Sequence, residues 1–275
     1  MKKDRILYIS QEITPYLPES NMSHISRHLP QGIQEKGNEI RTFMPRFGCI
    51  NERRHQLHEV IRLSGMNLII NENDHPLIIK VASIQPARMQ VYFIDNEDFF
   101  QRKAVLHDEK GKMFNDNDER SVFFCRGVLE TVKKLGWAPD VIHCHGWMTS
   151  LVPLYLKTAF KNDPLFSNSK VVYSVYNNGF DKPLSKDFVK KSMMDGISAD
   201  EISAYTDSTF EGINKAAVQW ADGIIIGDET VSEDIINHAR SNDKPLLEHQ
   251  NPEVFVDAYS DFYDQIMAED GVLAE

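Results

Sequence analysis

Pro139-Asp140-Val141-Ile142-His143-Cys144-His145-Gly146-Trp147-Met148-Thr149 is the stretch from which the rest of the chain can be read. Asp140 to Cys144 has the apolar, β-branched character of a short buried strand entered from a Pro-Asp boundary. His145-Gly146-Trp147 is a turn, and beyond Met148 the residues Leu151, Leu154, Tyr155, Thr158 and Phe160 recur at helical spacing. A strand, a tight turn and a helix place the turn at the carboxyl end of a parallel sheet, where open α/β folds bind their ligands. His143 and His145 stand two apart and so share one face of the strand. Two readings of the turn stay open: an edge that faces a ligand, or a corner that His145 and Trp147 simply cap and pack.

Working outward toward the N-terminus, Arg5 to Ser10 is nearly continuous in apolar character, as a central parallel strand should be. Pro15, Pro18 and the pair Ser20-Asn21 force a loop after it. A helix follows from about Met22 to Lys36, with Ile25, Leu29 and Ile33 on one face and Gly37-Asn38 ending it. Pro30 inside that helix predicts a kink or a division. Glu39 to Pro45 is a second strand, giving a β-loop-α-β unit with a right-handed crossover. The loop lacks G-x-G-x-x-G, so it is no dinucleotide fingerprint.

Cys49 to Glu59 reads as a solvated excursion. Val60 to Ile70, Leu77 to Ile84 and Met89 to Asp95 read as strands. Their short links, Asn71 to Pro76 and Pro86-Ala87, predict antiparallel hairpins. Phe99 to Asn117 is loop-like, and Asp118-Glu119 open a helix with Val122, Cys125, Leu129 and Val132 on one face.

Toward the C-terminus, Lys170 to Tyr176 is another buried strand, ending in the turn Asn177-Asn178-Gly179-Phe180. Ser185 to Met194, Phe210 to Trp220 and Val231 to Ala239 read as helices, with a short strand at Gly223 to Gly227. Glu253 to Met267 is an amphipathic helix. Its Val254, Phe255, Tyr259, Phe262, Tyr263 and Ile266 are too many large apolar groups to leave in water, so it lies back on the domain or forms a dimer contact. The fold class is α/β, a Rossmann-like parallel sheet with helices on both faces, and residues 1–275 read as a single domain.

The formal net charge of −11 argues against nucleic acid or an anionic membrane surface as the main partner. No run approaches the ~18 apolar residues of a membrane span, and Met1-Lys2-Lys3-Asp4 leads into a strand without a signal peptide's apolar core. Cys49, Cys125 and Cys144 are scattered and odd in number, which suits a reducing, cytoplasmic setting. His143-x-His145 offers two metal ligands but no third at ligand spacing, so no metal is expected. His24 and His28 lack the intervening Glu of a zinc-hydrolase helix, and no G-x-S-x-G anchors a hydrolase triad.

Glu12, Pro15, Leu29-Pro30, Pro45-Arg46-Phe47-Gly48, Asp116-Asn117-Asp118-Glu119-Arg120 and Pro139-Asp140 through Trp147 form a series whose order and spacing resemble the N-terminal half of bacterial glycogen and starch synthases. Those are retaining glycosyltransferases of the two-Rossmann-domain, GT-B kind that use ADP-glucose. The resemblance runs from Ile6 to about Tyr176; beyond Gly179 only Ala221-Asp222-Gly223 continues it. It implies glucosyl transfer from ADP-glucose to an α-1,4-glucan, with no cofactor. It also implies catalytic roles for His145, which would orient the transferred sugar, and for Asp116, which would stabilise positive charge on the sugar ring. Substrate contacts would fall to Pro18, Ser20, Asn21, Trp147, Asn177 and Asn178. Alternatives stay open: Asp116 and Arg120 as a helix N-cap with its charge partner, Arg120 holding the loop through a carboxylate, and Trp147 as core.

Departures from the family's pattern matter as much. The family's lysine and paired glycines, which meet the donor phosphate, fall on Pro18, Ser20 and Asn21, and proline brings neither charge nor N–H. An aspartate further into that helix falls on His24, and the aspartate of H-D-W falls on Gly146. The second, nucleotide-binding domain is absent from the 275 residues. Three readings follow: a transferase domain inactive alone, a glucan-, nucleotide- or protein-binding module that kept the fold, or a chain completed by a homodimer mate or a separate partner chain.

Overall fold

A computed structural model describes residues 3–268. The chain runs β1 (Arg5–Ser10), α1 (Asn21–Glu35), β2 (Glu39–Pro45), α2 (Glu52–His55), β3 (His58–Glu59), β4 (Met66–Ile70), β5 (Asn73–Ile84), β6 (Met89–Asp95), α3 (Glu97–Phe100) and α4 (Asn117–Leu135). It continues with β7 (Val141–His145), α5 (Leu151–Lys157), β8 (Lys170–Val175), α6 (Phe188–Ser192), α7 (Ala199–Ile202), α8 (Phe210–Trp220), β9 (Gly223–Ile226), α9 (Glu233–Arg240), β10 (Leu246–Leu247) and α10 (Phe255–Ala268). Among the described residues the strand order is β10-β9-β8-β7-β1-β2-β6-β5-β3, with β4 paired to β5. Pairings from β10 to β6 are parallel and those of β5 are antiparallel.

β1 and β7 lie at the middle of the sheet and are buried on both faces, which is why their sequences are so continuously apolar. Ile6 pairs with Val141, Tyr8 with His143 and Ser10 with His145. Partners in such a register share a face, so two histidines, a tyrosine and a serine line one side of the sheet. On that side Ile6, Tyr8, Val141, Val172 and Ile225 pack against Ile25, Leu29 and Ile33 of α1 and against Phe255, Tyr259, Phe262, Tyr263 and Ile266 of α10. The opposite face carries the larger core, with α4, α5 and α8.

α10 therefore lies back on the domain, although Val254, just before it, is 49% exposed and plays no part in the packing. Gly223 makes this approach feasible: a Cβ there would collide with Ile266.

Three local expectations change. Pro30 does not divide α1, which continues through it as one 15-residue helix. Leu29 and Ile33 on either side of Pro30 are fully buried, so packing holds the turn together despite the missing N–H. The Val60 to Ile70 run forms a strand only from Met66, because Leu63 and Ser64 turn back onto the carbonyl of Val60. The supposed link Asn71 to Pro76 is mostly β5, in which Pro76 faces Asn67 and lies before the pairing with β6 begins.

The motif Pro45-Arg46-Phe47-Gly48 proves to be a clamp. Arg46 and Lys80 share Asp95 and Glu52 at 2.7–3.2 Å, while Phe47 is fully buried.

Candidate active site at the carboxyl edge of the sheet

Three turns meet at the carboxyl ends of β1, β7 and β8. Gly146 follows β7 with φ +82° and ψ 165°, a region of backbone space that only glycine occupies without strain. A Cβ at Gly146 would stand 2.6 Å from Met22 Cε and 3.3 Å from Asn178 Nδ2. Asn178 in turn donates to Gln11 Oε1 at 3.1 Å, and the Gln11 amide donates to the His145 carbonyl at 3.3 Å. The loop before α1, the β7 turn and the β8 turn are thus one assembly, as the strand–turn–helix reading requires.

His145 is fully buried. Its Nδ1 meets the Tyr176 hydroxyl at 2.8 Å, while Nε2 has no partner within the protein. Burial pushes its pKa down to about 3, so the ring is neutral near pH 7. A Tyr176 hydroxyl that donates to Nδ1 leaves Nε2 carrying the hydrogen, free to donate.

His143 lies directly below, ring centroid 3.8 Å from that of His145. It is bonded at both nitrogens, to Tyr263 at 2.6 Å and to Ser174 at 2.6 Å, and burial then the neighbouring His145 hold its pKa well below the usual imidazole value. Ser10 Oγ, Gln11 Nε2 and Asn178 Oδ1, at the same edge, are also buried without a partner. Four such atoms gather around this one turn, which makes it the candidate site.

The loop before α1 behaves in the opposite way. Ser20 caps the helix: its Oγ accepts from the Ser23 amide at 3.0 Å, its own amide donates to Ser23 Oγ at 2.8 Å, and its hydroxyl donates to Glu12 at 2.7 Å. Burial raises the Glu12 pKa. Asn21 reaches across to the Gly227 carbonyl at 2.6 Å. Pro18 is exposed, and its carbonyl accepts from Ser23 Oγ at 3.2 Å. His24 lies against Glu19 at 3.3 Å and stacks on His28.

The remaining predicted residues are placed as follows. Trp147 is fully buried, edge-on to Phe180 at 4.9 Å. Asn177 is exposed and donates to Thr230 at 3.0 Å. Asp116 precedes α4 without capping it; both carboxylate oxygens are gripped by Arg102 at 2.7–2.8 Å. Arg120 is buried, and it holds the loop through the carbonyls of Phe99 and Val105 and through Asn117 Oδ1, with Phe47, Phe100 and Phe114 around it. The expected carboxylate partner of Arg120 is thus replaced by carbonyls, because Asp116 is taken by Arg102.

Sequence reasoning missed Met22, Arg102 and the tyrosines Tyr8, Tyr176 and Tyr263. One signal was available: Tyr8 and Ser10 form a polar stripe at period two, matching His143 and His145 on the neighbouring strand. Among the described residues no group of three or more His, Cys, Asp or Glu is placed to hold a metal ion.

The fold defines a class, a mainly parallel α/β sheet flanked by helices of the GT-B kind, with the candidate site at its carboxyl edge. Residues 5–247 match the family model described as the starch synthase catalytic domain, and the chain belongs to that family. It is 38% identical over 174 residues to the glycogen synthases of Chlorobium luteolum and Chlorobium limicola, covering 63% of this chain and 36% of each relative. The chain thus spans about a third of the length of the curated relatives it matches. The catalytic domain of starch synthase IV from Arabidopsis thaliana, solved bound to ADP and acarbose, shares the fold with a TM-score of 0.70 at 16% identity, over 91% of this chain and 52% of that one.

Proposed function

We propose that residues 1–275 form one domain serving glucosyl transfer from ADP-glucose to an α-1,4-glucan in the cytoplasm. In this reading the domain supplies one side of a two-sided site and does not turn over by itself. The observation that carries the reading is the buried, unpaired Nε2 of His145 at the junction of the three turns, beside the unpaired Ser10 Oγ, Gln11 Nε2 and Asn178 Oδ1. A neutral imidazole fixed by Tyr176 directs one hydrogen bond, which can orient a sugar hydroxyl for reaction. Met22 covers Gly146 and is the flexible group that would move to admit it. Asp116, its charge shared with Arg102, would still have lone pairs facing a cationic sugar ring, but with a weaker field than a free carboxylate.

Among the described residues no helix is long and apolar enough to cross a membrane. Thermal shift against ADP-glucose, ADP, UDP-glucose and maltooligosaccharides tests the proposal. A ligand at a hundred times its Kd adds about 2.7 kcal/mol of stability. We expect maltooligosaccharide stabilisation that is lost in His145→Ala. No shift with any of the four would sink the proposal.

A further inference from the structure

A second region of interest is a cleft that shares no lining residue with the His145 turn. It has a volume of about 550 Å³ and lies between residues 107–115, reached from β6 by way of α3, and residues 181–185, beyond β8. One wall is a built hairpin. His107 and Met113 form a β-bridge, the Asp108 amide donates to the Lys112 carbonyl, and the Gly111 amide donates to the Asp108 carbonyl, both at 2.9 Å. Asp108 Oδ1 accepts from the amides of Lys110 and Lys112 at 2.9 Å each, which fixes the hairpin turn. The facing wall is anchored at Leu184, which is buried and exchanges hydrogen bonds with Ser208 at 2.9 and 3.1 Å.

Lys110, Lys112 and Lys182 line this cleft with His107, against the single carboxylate of Asp181. Among the described residues none of the three lysines forms an ion pair. Asp116, next after the lining residue Asn115, is already matched by Arg102. Asp108, Glu109 and Asp181 balance the formal charge of the three lysines, so what the cleft offers an anion is three ammonium groups without an ion-pair partner rather than a net positive field. Lysine recognises phosphate as a point charge. Met113, Phe114 and Pro183 add an apolar wall, and the volume is that of a small-molecule site.

We propose that this cleft binds a small phosphate ester, a sugar phosphate or a nucleotide, with the phosphate on the lysines and the organic part on the Met113–Phe114 wall. Calorimetric and amide-NMR titrations of the full chain with glucose 1-phosphate, ADP and pyrophosphate at low salt test it. At least one ester should bind saturably, shifting amides of residues 107–115 and 181–185, and more weakly as salt rises. The variant Lys110→Ala/Lys112→Ala/Lys182→Ala should weaken binding roughly tenfold or more. Replacing the same three lysines by arginine should retain it, and so should His145→Ala, which separates this site from the proposed transfer site. Absence of binding at millimolar ligand, or affinity unchanged in the alanine variant, would overturn the proposal. Pyrophosphate binding as tightly as either ester would overturn the assignment to an ester.

Discussion

The β7 turn and the loop before α1 sit within contact of each other, yet they treat their polar groups in opposite ways. Around His145 the sheet edge leaves imidazole, amide and hydroxyl atoms buried and unpaired. Before α1, Ser20, Ser23 and Glu12 satisfy one another in a closed capping box. Leaving a buried polar atom unpaired costs about 1–3 kcal/mol, so the first arrangement persists because the surrounding packing holds it. The second stabilises the helix start by about 1 kcal/mol and uses the amide that would otherwise face an anion. The two halves of one edge have separated: one holds buried polar atoms without partners, and the other is closed by its own side chains.

What holds the first half in place is α10, so removing it should break the comparison most severely. Ending the chain at Asn251 strips Phe255, Tyr259, Phe262, Tyr263 and Ile266 from the sheet. At about 1.5–3 kcal/mol per large buried side chain, we expect loss of most of the stability in urea unfolding. A full-length-like midpoint would refute the role assigned to α10. Gly146→Asp comes next. It restores the residue of H-D-W, but it forces a side chain into a glycine-only conformation against Met22. The strain alone is about 1–3 kcal/mol, and Met22→Ala should recover only the steric part of the loss.

Smaller effects probe the support beneath His145. Tyr263→Phe removes the hydroxyl bonded to His143 Nδ1 and should cost about 1–3 kcal/mol. The pH dependence has a definite sign. Both histidines have folded pKa values lowered by burial, so the unfolded chain binds more protons below its own imidazole pKa of about 6.5. Their contribution is complete above that value and is lost as pH falls toward the folded pKa. Between pH 7.5 and 5.5 the unfolding free energy should drop by on the order of 1 kcal/mol per histidine. A His143→Gln variant should show a shallower slope over the same range; equal slopes would exclude His143 as a source.

The parallel core was legible because β1, β7 and β8 are short runs rich in apolar and β-branched residues that end in loops marked by Pro, Gly or Asn. The meeting of the three turns was legible for the same reason, since parallel strands bring their carboxyl ends to one edge. The partnerships were not. Arg102 stands 14 residues before Asp116, in a stretch with no period at all, and only the folded loop brings the two together. Gly146 reads as the loss of an aspartate until its positive φ and the Met22 methyl are seen beside it. α10 announced its apolar face, but nothing in the sequence said that Tyr263 would reach His143, 120 residues away.

The smallest effect expected is none at all, and it concerns the closed half of the edge. Pro18→Lys, Ser20→Gly and Asn21→Gly together restore the lysine and glycines of the related synthases. They also remove the Ser20 cap and the Asn21 bond to Gly227, at a cost of about 1–2 kcal/mol in stability. We expect no transfer of labelled glucose from ADP-glucose to glycogen by the 275-residue chain, before or after the change. Removing one preorganised electrostatic contact lowers a rate by about 10²–10³. In the proposed reading the deficit is larger, because these 275 residues would supply only one side of a two-sided donor site. Glu12, no longer bonded to Ser20, would also stand near the restored loop as an acid beside an anion. Turnover at an ordinary enzymatic rate in the restored chain, abolished by His145→Ala, would show that the closed loop alone separates this domain from catalysis. Turnover in the unaltered chain would show that the loop was never part of its donor site.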